Sequence, residues 1–556
     1  MAPRRIILAI AFLLLACGVA GVFADRWARA RAKVVDPDDA NAEARSSEGP
    51  NGGDAEKRYW SQLEKGPVTV PTVIAFLQAH EEAVEAAAPP EDDGPAEPPS
   101  KPVAAPPVVD EQAIDVFLAR TDLPPGVALL GTYWRGVVKN EIDEDVERDV
   151  VRAADADPPP AYANDLLARD ALSRGKVDAA AERFLREGTY FPERTVDVSL
   201  ALVHWVEQED WDRIDRALSD PRIFRLADPW IELRSAVRRR DFPGIVHAFP
   251  RCLRPPLSLG STILAVIAAL AWGTFCARLG GTSVRPRVRF PIYLLAFVLG
   301  VASVSVTLVF VVLEEVFLKM NETQDPLRDL LFFTFGVGLR EEVSKLLFFA
   351  PLLPLLRSRY VNASRLDVLI CGALVGLGFA AEENLGYLHQ GDLSTAMARF
   401  LTANFFHMSM TAILAGALDR ATLSARARAM SGWGERSEEG SFDFSRALLT
   451  VAAMHGIYDF CLSEHAYGNI SYFSMGVFLL LTRQFLALVS DARAKERAAR
   501  PRLLETFSFG MAIVVGASFV YASALVGPGP AASALAEGLL GLAIIIFIFV
   551  QELRRV

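Results

Sequence analysis

The second half of the chain is a succession of apolar stretches, and this restricts its fold more than any other feature. Residues 256–550 contain repeated runs of about 18–25 mostly apolar residues. A helix needs about 20 such residues to cross the hydrocarbon core, where the backbone must satisfy its own hydrogen bonds. The runs lie near 257–277, 291–313, 331–356, 366–388, 397–418, 446–463, 472–489, 506–526 and 531–550, with a further run over 6–24. The expected fold class is therefore all-α, a polytopic helical membrane protein with about nine or ten spans. Residues 26–255 read instead as charged, soluble sequence, so the mean hydropathy of +0.25 averages two unlike halves.

Five segments follow from composition. Residues 1–33 hold two arginines, the apolar run Ile6–Ala24 and a basic juxtamembrane stretch, which reads as a signal anchor and first transmembrane helix. Leu13–Cys17 resembles a lipoprotein signal, but the apolar run continues past the cysteine, which favours an anchor. Residues 34–107 are rich in Pro, Ala and acids and are expected to be mostly linker with a short helix. Residues 108–255 are expected to form a helical soluble domain. There Gly175, Asp210 and Asp241 mark turns at spacings near 35 and 31 residues, a tetratricopeptide-like pattern that a generic helical domain would equally give, serving either to dock a protein partner or a purely structural role. His204 and His247 lie in this helical sequence without a surrounding carboxylate or cysteine pattern and read as structural. Residues 256–490 form the polar-studded helical core, and 491–556 a cytoplasmic loop with two C-terminal helices. Cys17, Cys252, Cys276, Cys371 and Cys461 are scattered, which argues against a disulfide framework or a thiolate metal site. The net charge of −10 comes mainly from the soluble portion, and no nucleic-acid partner is expected.

Basic residues fall on alternate loops. The stretches 278–290, 357–365, 419–440 and 491–502 and the C-terminal tail are basic; 314–329, 389–396, 464–470 and 526–532 are acidic, uncharged or lack Lys and Arg. By the positive-inside rule the N-terminus is cytoplasmic and residues 34–255 are extracytoplasmic, in a multi-pass protein of the inner membrane. The basic run 26–33 runs against this rule and is partly countered by Asp25, Asp36, Asp38 and Asp39.

Charges recur inside the apolar runs, where each costs about 2.5–3.5 kcal/mol unless paired or facing a polar cavity. Arg340, Glu341, Glu342 and Lys345 interrupt one expected span. Glu341 and Glu342 lie four and three residues before Lys345, so both reach it on a helix, and Glu341 shares its face. The next span carries Glu382, Glu383 and Asn384, the following one His407, and the one after that His455 and Asp459, again four apart. At 1.5 Å per residue, Glu342, His407 and His455 fall within roughly 5 Å of one depth.

One ion pair would serve as structural glue; a set of this size is better explained by a wet cavity, since apolar residues would avoid the desolvation. Peptide hydrolysis needs a base to activate water and a group to stabilise the oxyanion. A carboxylate in a low-dielectric cavity becomes a usable base near neutrality, and imidazoles can orient the water. The same residues could hold a zinc ion, drawn from Glu342, Glu383, His407 and His455. Both routes stay open, so the cofactor is either none or zinc. Ion or solute transport through the Glu/His/Asp cluster is an alternative function, as is a membrane-anchored scaffold without catalysis. Glu314 and Glu315 read as a helix end at the outer interface. His389 and His465 read as loop residues, and Cys371 and Cys461 as small hydrophobes.

The pattern "EEVSK" (Glu341, Glu342, Lys345), "FAAEEN" (Phe379, Glu383, Asn384), "HMSMTAILAG" (His407) and "HGIYD" (His455, Asp459) resembles the PrsW-type intramembrane proteases. That family is related to CAAX-processing and bacteriocin-processing membrane endopeptidases. The resemblance spans roughly 290–490 and implies a polytopic protease with a membrane-anchored protein substrate, which in some members is an anti-sigma factor. Members are described as glutamate-dependent or as metalloproteases. Carried over, the resemblance makes Glu341 and Glu342 the water-activating candidates, with Glu342 preferred because Glu341 faces Lys345. His407 becomes their partner and His455 with Asp459 the second polar pair, with Lys345, Glu383 and Asn384 in support. In the related endopeptidases the last position is often Asn, so Asp459 departs from their pattern in the oxyanion role.

The charge pattern is testable on its own. Single cysteines introduced within 40–250 should react with an impermeant thiol reagent in intact cells, and cysteines within 419–445 should not. Protection of 40–250 would invert the map.

Overall fold

Gly175, in the left-handed backbone region at φ +70, ends one helix so that the next can fold back on it. That turn joins Ala163–Ser173 to Val177–Tyr190. It belongs to the first of two compact units, which part between Cys252 and Leu253. The computed structural model describes residues 52–87, 109–253, 259–280, 286–323, 325–390, 399–431, 439–463, 471–496 and 502–554. The expected first span Ile6–Ala24, the basic run 26–33, most of the linker and parts of several charged loops lie outside the described residues.

Among its described residues the first unit contains helices and no strand. Asp210, Asp220 and Asp228 each accept a backbone N–H at the start of a helix, capping Trp211–Leu218, Pro221–Leu226 and Pro229–Arg239. These helices are 8, 6 and 11 residues long, shorter and less even than the helical pairs the turn spacing implies. Phe184, Leu202, Trp205, Ile214 and Ile231 fill their core. Residues 52–87 form two helices, Gly52–Lys65 and Val70–Ala87, where the composition pointed to linker with a short helix. Tyr59 and Leu63, four apart, and Val73 and Phe76, three apart, put apolar side chains on one face of each helix. They join Phe117, Leu130 and Tyr133 in a second core. His204 sits 3.3 Å from Asp178, and His247 stacks on Phe224.

The principal helices of the membrane unit are α1 (Leu259–Leu279), α2 (Pro286–Leu313), α3 (Leu339–Leu356), α4 (Arg365–Gln390), α5 (Ala403–Ser431), α6 (Glu439–Leu462), α7 (Ser471–Glu496) and α8 (Leu503–Val526). Nine or ten spans were expected. Among the described residues, five helical stretches are long and apolar enough to cross a membrane: Leu259–Leu279, Arg287–Leu318, Arg399–Ala425, Phe473–Glu496 and Leu503–Leu525. A sixth is reached if Pro528–Gly541 and Ala543–Leu553, bent by 57°, count as one span. The shortfall has a physical cause. α3, α4 and α6 carry Arg340, Glu341, Glu342, Lys345, Glu382, Glu383 and Asp459, which lower their apolar content. Of these, α4 is shielded by its neighbours, with Leu366–Ala380 buried throughout, and so is the apolar window of Arg399–Ala425, which is 94% buried.

The expected 331–356 span is divided. A short helix Pro326–Leu331, capped by Asp325, runs into a π-helical turn over Phe332–Gly338 and then into α3. A second π-helical turn, Glu314–Leu318, continues α2, and its Glu314 pairs with Arg340. Glu314 therefore neutralises a charge as well as ending a helix.

The first unit carries a buried ionic knot with a defined pH dependence. Glu187 accepts backbone N–H groups of Tyr162 and Asn164, capping Ala163–Ser173 from the following helix. Arg194 lies 2.6 Å from Asp197 and 3.0 Å from Asp165, with Arg169 on the other side of Asp165. Burial raises Glu187 to about 7, opposed by the Tyr162 N–H and Arg194; it raises Asp197 to about 6, with Asp165 adding to the effect. Both folded values exceed the unfolded ones, so the native state binds more protons between about pH 4 and 7. The stability they contribute is full below that window and is lost as pH rises through it. Hydrogen exchange in the full chain, corrected for intrinsic rates, should show protection over 163–207 falling from pH 5.5 to 8. Glu187→Gln should flatten that fall.

Candidate functional site

Two close backbone approaches place the polar residues. Gly376 of α4 lies against the backbone of His407 on α5; a Cβ there would meet the His407 carbonyl oxygen. Gly372 and Gly376 form a small-xxx-small pair, the spacing that lets membrane helices approach closely. On the other side Gly338, where the π turn ends, meets Ala452 and Gly456 of α6. That contact brings Glu341 and Glu342 beside His455, one residue before Gly456. π turns of this kind occur often at functional sites because they re-aim side chains.

The side chains form a continuous chain of contacts across four helices. Lys345 Nζ donates to Glu342 Oε1 at 2.8 Å and to His407 Nδ1 at 2.8 Å, and lies 3.4 Å from Glu341 Oε2. It also stands 4.1 Å above the Phe379 ring. His455 Nδ1 lies 3.1 Å from Glu342 Oε1, while His455 Nε2 lies 3.3 Å from Asp459 Oδ2 and 3.6 Å from Glu341 Oε2. His407 Nε2 lies 3.0 Å from Glu383 Oε2, and the two imidazole centroids are 5.2 Å apart. Phe406 stacks on Tyr458 and meets His455 edge to face, closing one wall. Glu342 Oε2 is buried and has no hydrogen-bond partner among the described residues, leaving an acceptor in the interior.

The contacts assign atoms. A carboxylate only accepts, so His455 Nδ1 carries the proton toward Glu342 and presents Nε2 to Glu341 and Asp459. Three acceptors meet there, an arrangement held together by a proton or a metal cation. Lys345 donates to His407 Nδ1, so His407 Nε2 carries the proton toward Glu383. Each histidine thus has an orienting carboxylate, the arrangement that metal-ligating histidines commonly use. One ligand atom each from Glu341, His407 and His455 lies within 4.8 Å of the others, all three residues being buried. One carboxylate and two imidazoles are also the donor set of many catalytic zinc sites, so the residues fit a divalent ion, which would take the His407 Nδ1 lone pair that Lys345 meets here.

All eight residues singled out in the sequence lie in or beside this cluster. The finer assignments shift. Lys345 is closer to Glu342 than to Glu341, the reverse of what face-sharing alone indicated. Glu341 stands with the two histidines, whereas Glu342 and Glu383 orient His455 and His407 from behind. Asn384 donates to Asn404, which in turn donates to the Phe400 carbonyl. Cys276, Cys371 and Cys461 are buried. The side chain of His389, like the whole of His465, is outside what is described. Arg399 was missed: its only signal is one arginine at the edge of an apolar run, eight residues before His407.

Residues 290–484 match the family described as PrsW family intramembrane metalloprotease. No curated protein and no solved structure matches the chain.

The Gly376 approach gives a direct check. Gly376→Val should force α4 from α5 at the His407 backbone, an overpacking that costs about 1–3 kcal/mol or more. The expected result is a lower melting temperature in detergent, with activity falling further than stability because His407 moves.

Proposed function

We propose, from the homology of residues 290–484 to the PrsW family intramembrane metalloprotease, that the protein cuts single-span membrane-anchored proteins within or beside the span. Glu341, His407 and His455 are the water-activating set. The observation that carries this reading is the buried Glu/His/His cluster, with orienting carboxylates behind both imidazoles. Anti-sigma-factor-like regulators are candidate substrates, and the first unit, extracytoplasmic if the loop charges follow the positive-inside rule, is a candidate docking domain.

The residues divide the hydrolytic work as follows. Glu341 takes a proton from water as the water oxygen adds to the scissile carbonyl carbon. The carbonyl becomes an oxyanion, stabilised by the cationic surroundings that Lys345 and protonated His455 provide. Collapse breaks the C–N bond, and the proton passes to the departing amine. Glu342 holds His455 through Nδ1 and anchors Lys345; Glu383 holds His407; Asp459 faces His455 from the accessible side. A divalent ion held by Glu341, His407 and His455 would supply Lewis-acid polarisation and a more acidic water.

Purified protein with single-span peptides should yield cleavage products. Glu341→Gln and His455→Ala should reduce turnover at least about 100-fold while leaving insertion intact. Glu342→Gln should lose both activity and stability, because it strips a partner from the buried Lys345, a loss of about 3–5 kcal/mol. Gradient-driven solute uptake without any proteolysis would sink the protease reading.

A further inference from the structure

Arg399 lies outside every motif in the sequence, yet it grips the acidic segment of α4. Its side chain is only 20% exposed. Nη2 lies 3.1 Å from Glu383 Oε1, Nε donates to Asn384 Oδ1 at 2.8 Å, and the guanidinium carbon stands 3.6 Å from the centre of the Tyr387 ring. One planar cation therefore meets three side chains from consecutive turns of α4. The other oxygen of Glu383 is the one that faces His407 Nε2, at 3.0 Å.

We propose that Arg399 is a positioning residue: it fixes the Glu383 carboxylate, which in turn holds His407 with Nε2 toward Glu383 and Nδ1 toward Lys345. This rests on the intramembrane hydrolase reading of the same site. An arginine near the end of a span ordinarily extends its head toward water. Arg399 instead keeps its head against α4, where Nε donates to Asn384 and Nη2 is held beside Glu383 as an ion pair. Asn384 anchors the grip, because its amide continues to Asn404 and from there to the Phe400 carbonyl. Trp272 Nε1 donates to the same carbonyl at 2.7 Å. The guanidinium is thus tied at one edge to the backbone of its own helix and at the other to Glu383. Without it Glu383 keeps a charge but loses its second anchor, and the carboxylate is free to turn from His407. Lysine would restore the charge but not the planar fork that meets Asn384 and Tyr387 together.

The test uses purified full-length protein and two readouts: kcat and KM on a single-span peptide, and the absorption spectrum of added Co(II). Arg399→Met should lower kcat about 10–100-fold, the usual effect of losing an orienting partner, with KM within about twofold. It should weaken Co(II) binding by a similar factor, and Arg399→Lys should recover part of both. Because Arg399 acts through Glu383, Arg399→Met combined with Glu383→Gln should be no worse than Glu383→Gln alone. Wild-type kcat and Co(II) binding in Arg399→Met would overturn the proposal, as would multiplying losses in the double variant. A loss confined to KM would also overturn it, placing Arg399 on the substrate instead. If Arg399→Met does not fold, Arg399→Lys carries the same cycle with Glu383→Gln. A wild type that binds Co(II) but cuts no peptide would refute the protease reading alone, and the Co(II) series would still decide for or against Arg399. A wild type that neither binds nor cuts would overturn both.

Discussion

The buried ammonium of Lys345 sets the terms for the helices around it. Both Lys345 and Glu342 have fully buried side chains. An unpaired cation at such a site would cost several kcal/mol. It is met by Glu341 and Glu342 from its own helix, by His407 from α5 and by the face of Phe379 from α4. Glu342 then engages His455 of α6. Four helices are thereby committed to one another by a single charge, and none can turn its polar face to lipid. The apolar windows of Arg287–Leu318, Phe473–Glu496 and Leu503–Leu525, less than half buried, supply much of the lipid-facing surface, together with the outer faces of α3 and α6.

Electrostatic demand alone does not bring helices within hydrogen-bonding reach. Apolar side chains on opposing helices would hold the axes apart, and lipid supplies no hydrophobic drive to squeeze them together. The backbone contacts at Gly376 and Gly338 solve this at the two places where the chemistry needs it, beside His407 and beside His455. The π turn before α3 re-aims the helix so that consecutive residues serve two purposes: Glu341 joins the histidines, and Glu342 lies behind them.

Much of this was legible in the sequence because intramembrane charges stand out against apolar surroundings. Glu341, Glu342, Lys345, Glu383, His407, His455 and Asp459 were all found in that way. Spacing along one helix gave the pairs Glu341–Lys345 and His455–Asp459 and favoured Glu342 over Glu341 as the base, a ranking made without the residues of the other helices. That ranking depends on where α5 and α6 sit, which is a tertiary fact. Arg399 was missed for a similar reason: an arginine at the edge of a span reads as an interfacial residue until Glu383 and Asn384 are seen beside it. The pairing of Glu314 with Arg340 joins residues on different helices and has no local signal. The helices of residues 52–87 were obscured by flanking Pro- and Ala-rich sequence, although Tyr59, Leu63, Val73 and Phe76 already had helical spacing. The described residues give five or six spans by length and composition because charges lower the apolar content of α3, α4 and α6, and the expected first span lies outside the described residues.

The site is also asymmetric in a way that bears on its chemistry. Glu342 and Lys345 are sealed, whereas Asp459, Glu383 and Arg399 retain 28%, 25% and 20% exposure. A substrate reaches these partly exposed residues before it reaches the sealed pair. A peptide inside a span has its carbonyls engaged in helical hydrogen bonds, so no water can attack until a turn is opened. Opening a turn in hydrocarbon strands N–H and C=O groups at several kcal/mol each. At the accessible edge the partly exposed Asp459 carboxylate offers an acceptor able to satisfy an N–H of a locally unwound strand. On this reading the polar rim lowers the cost of unwinding, while the buried pair holds the imidazoles in place for the step that follows.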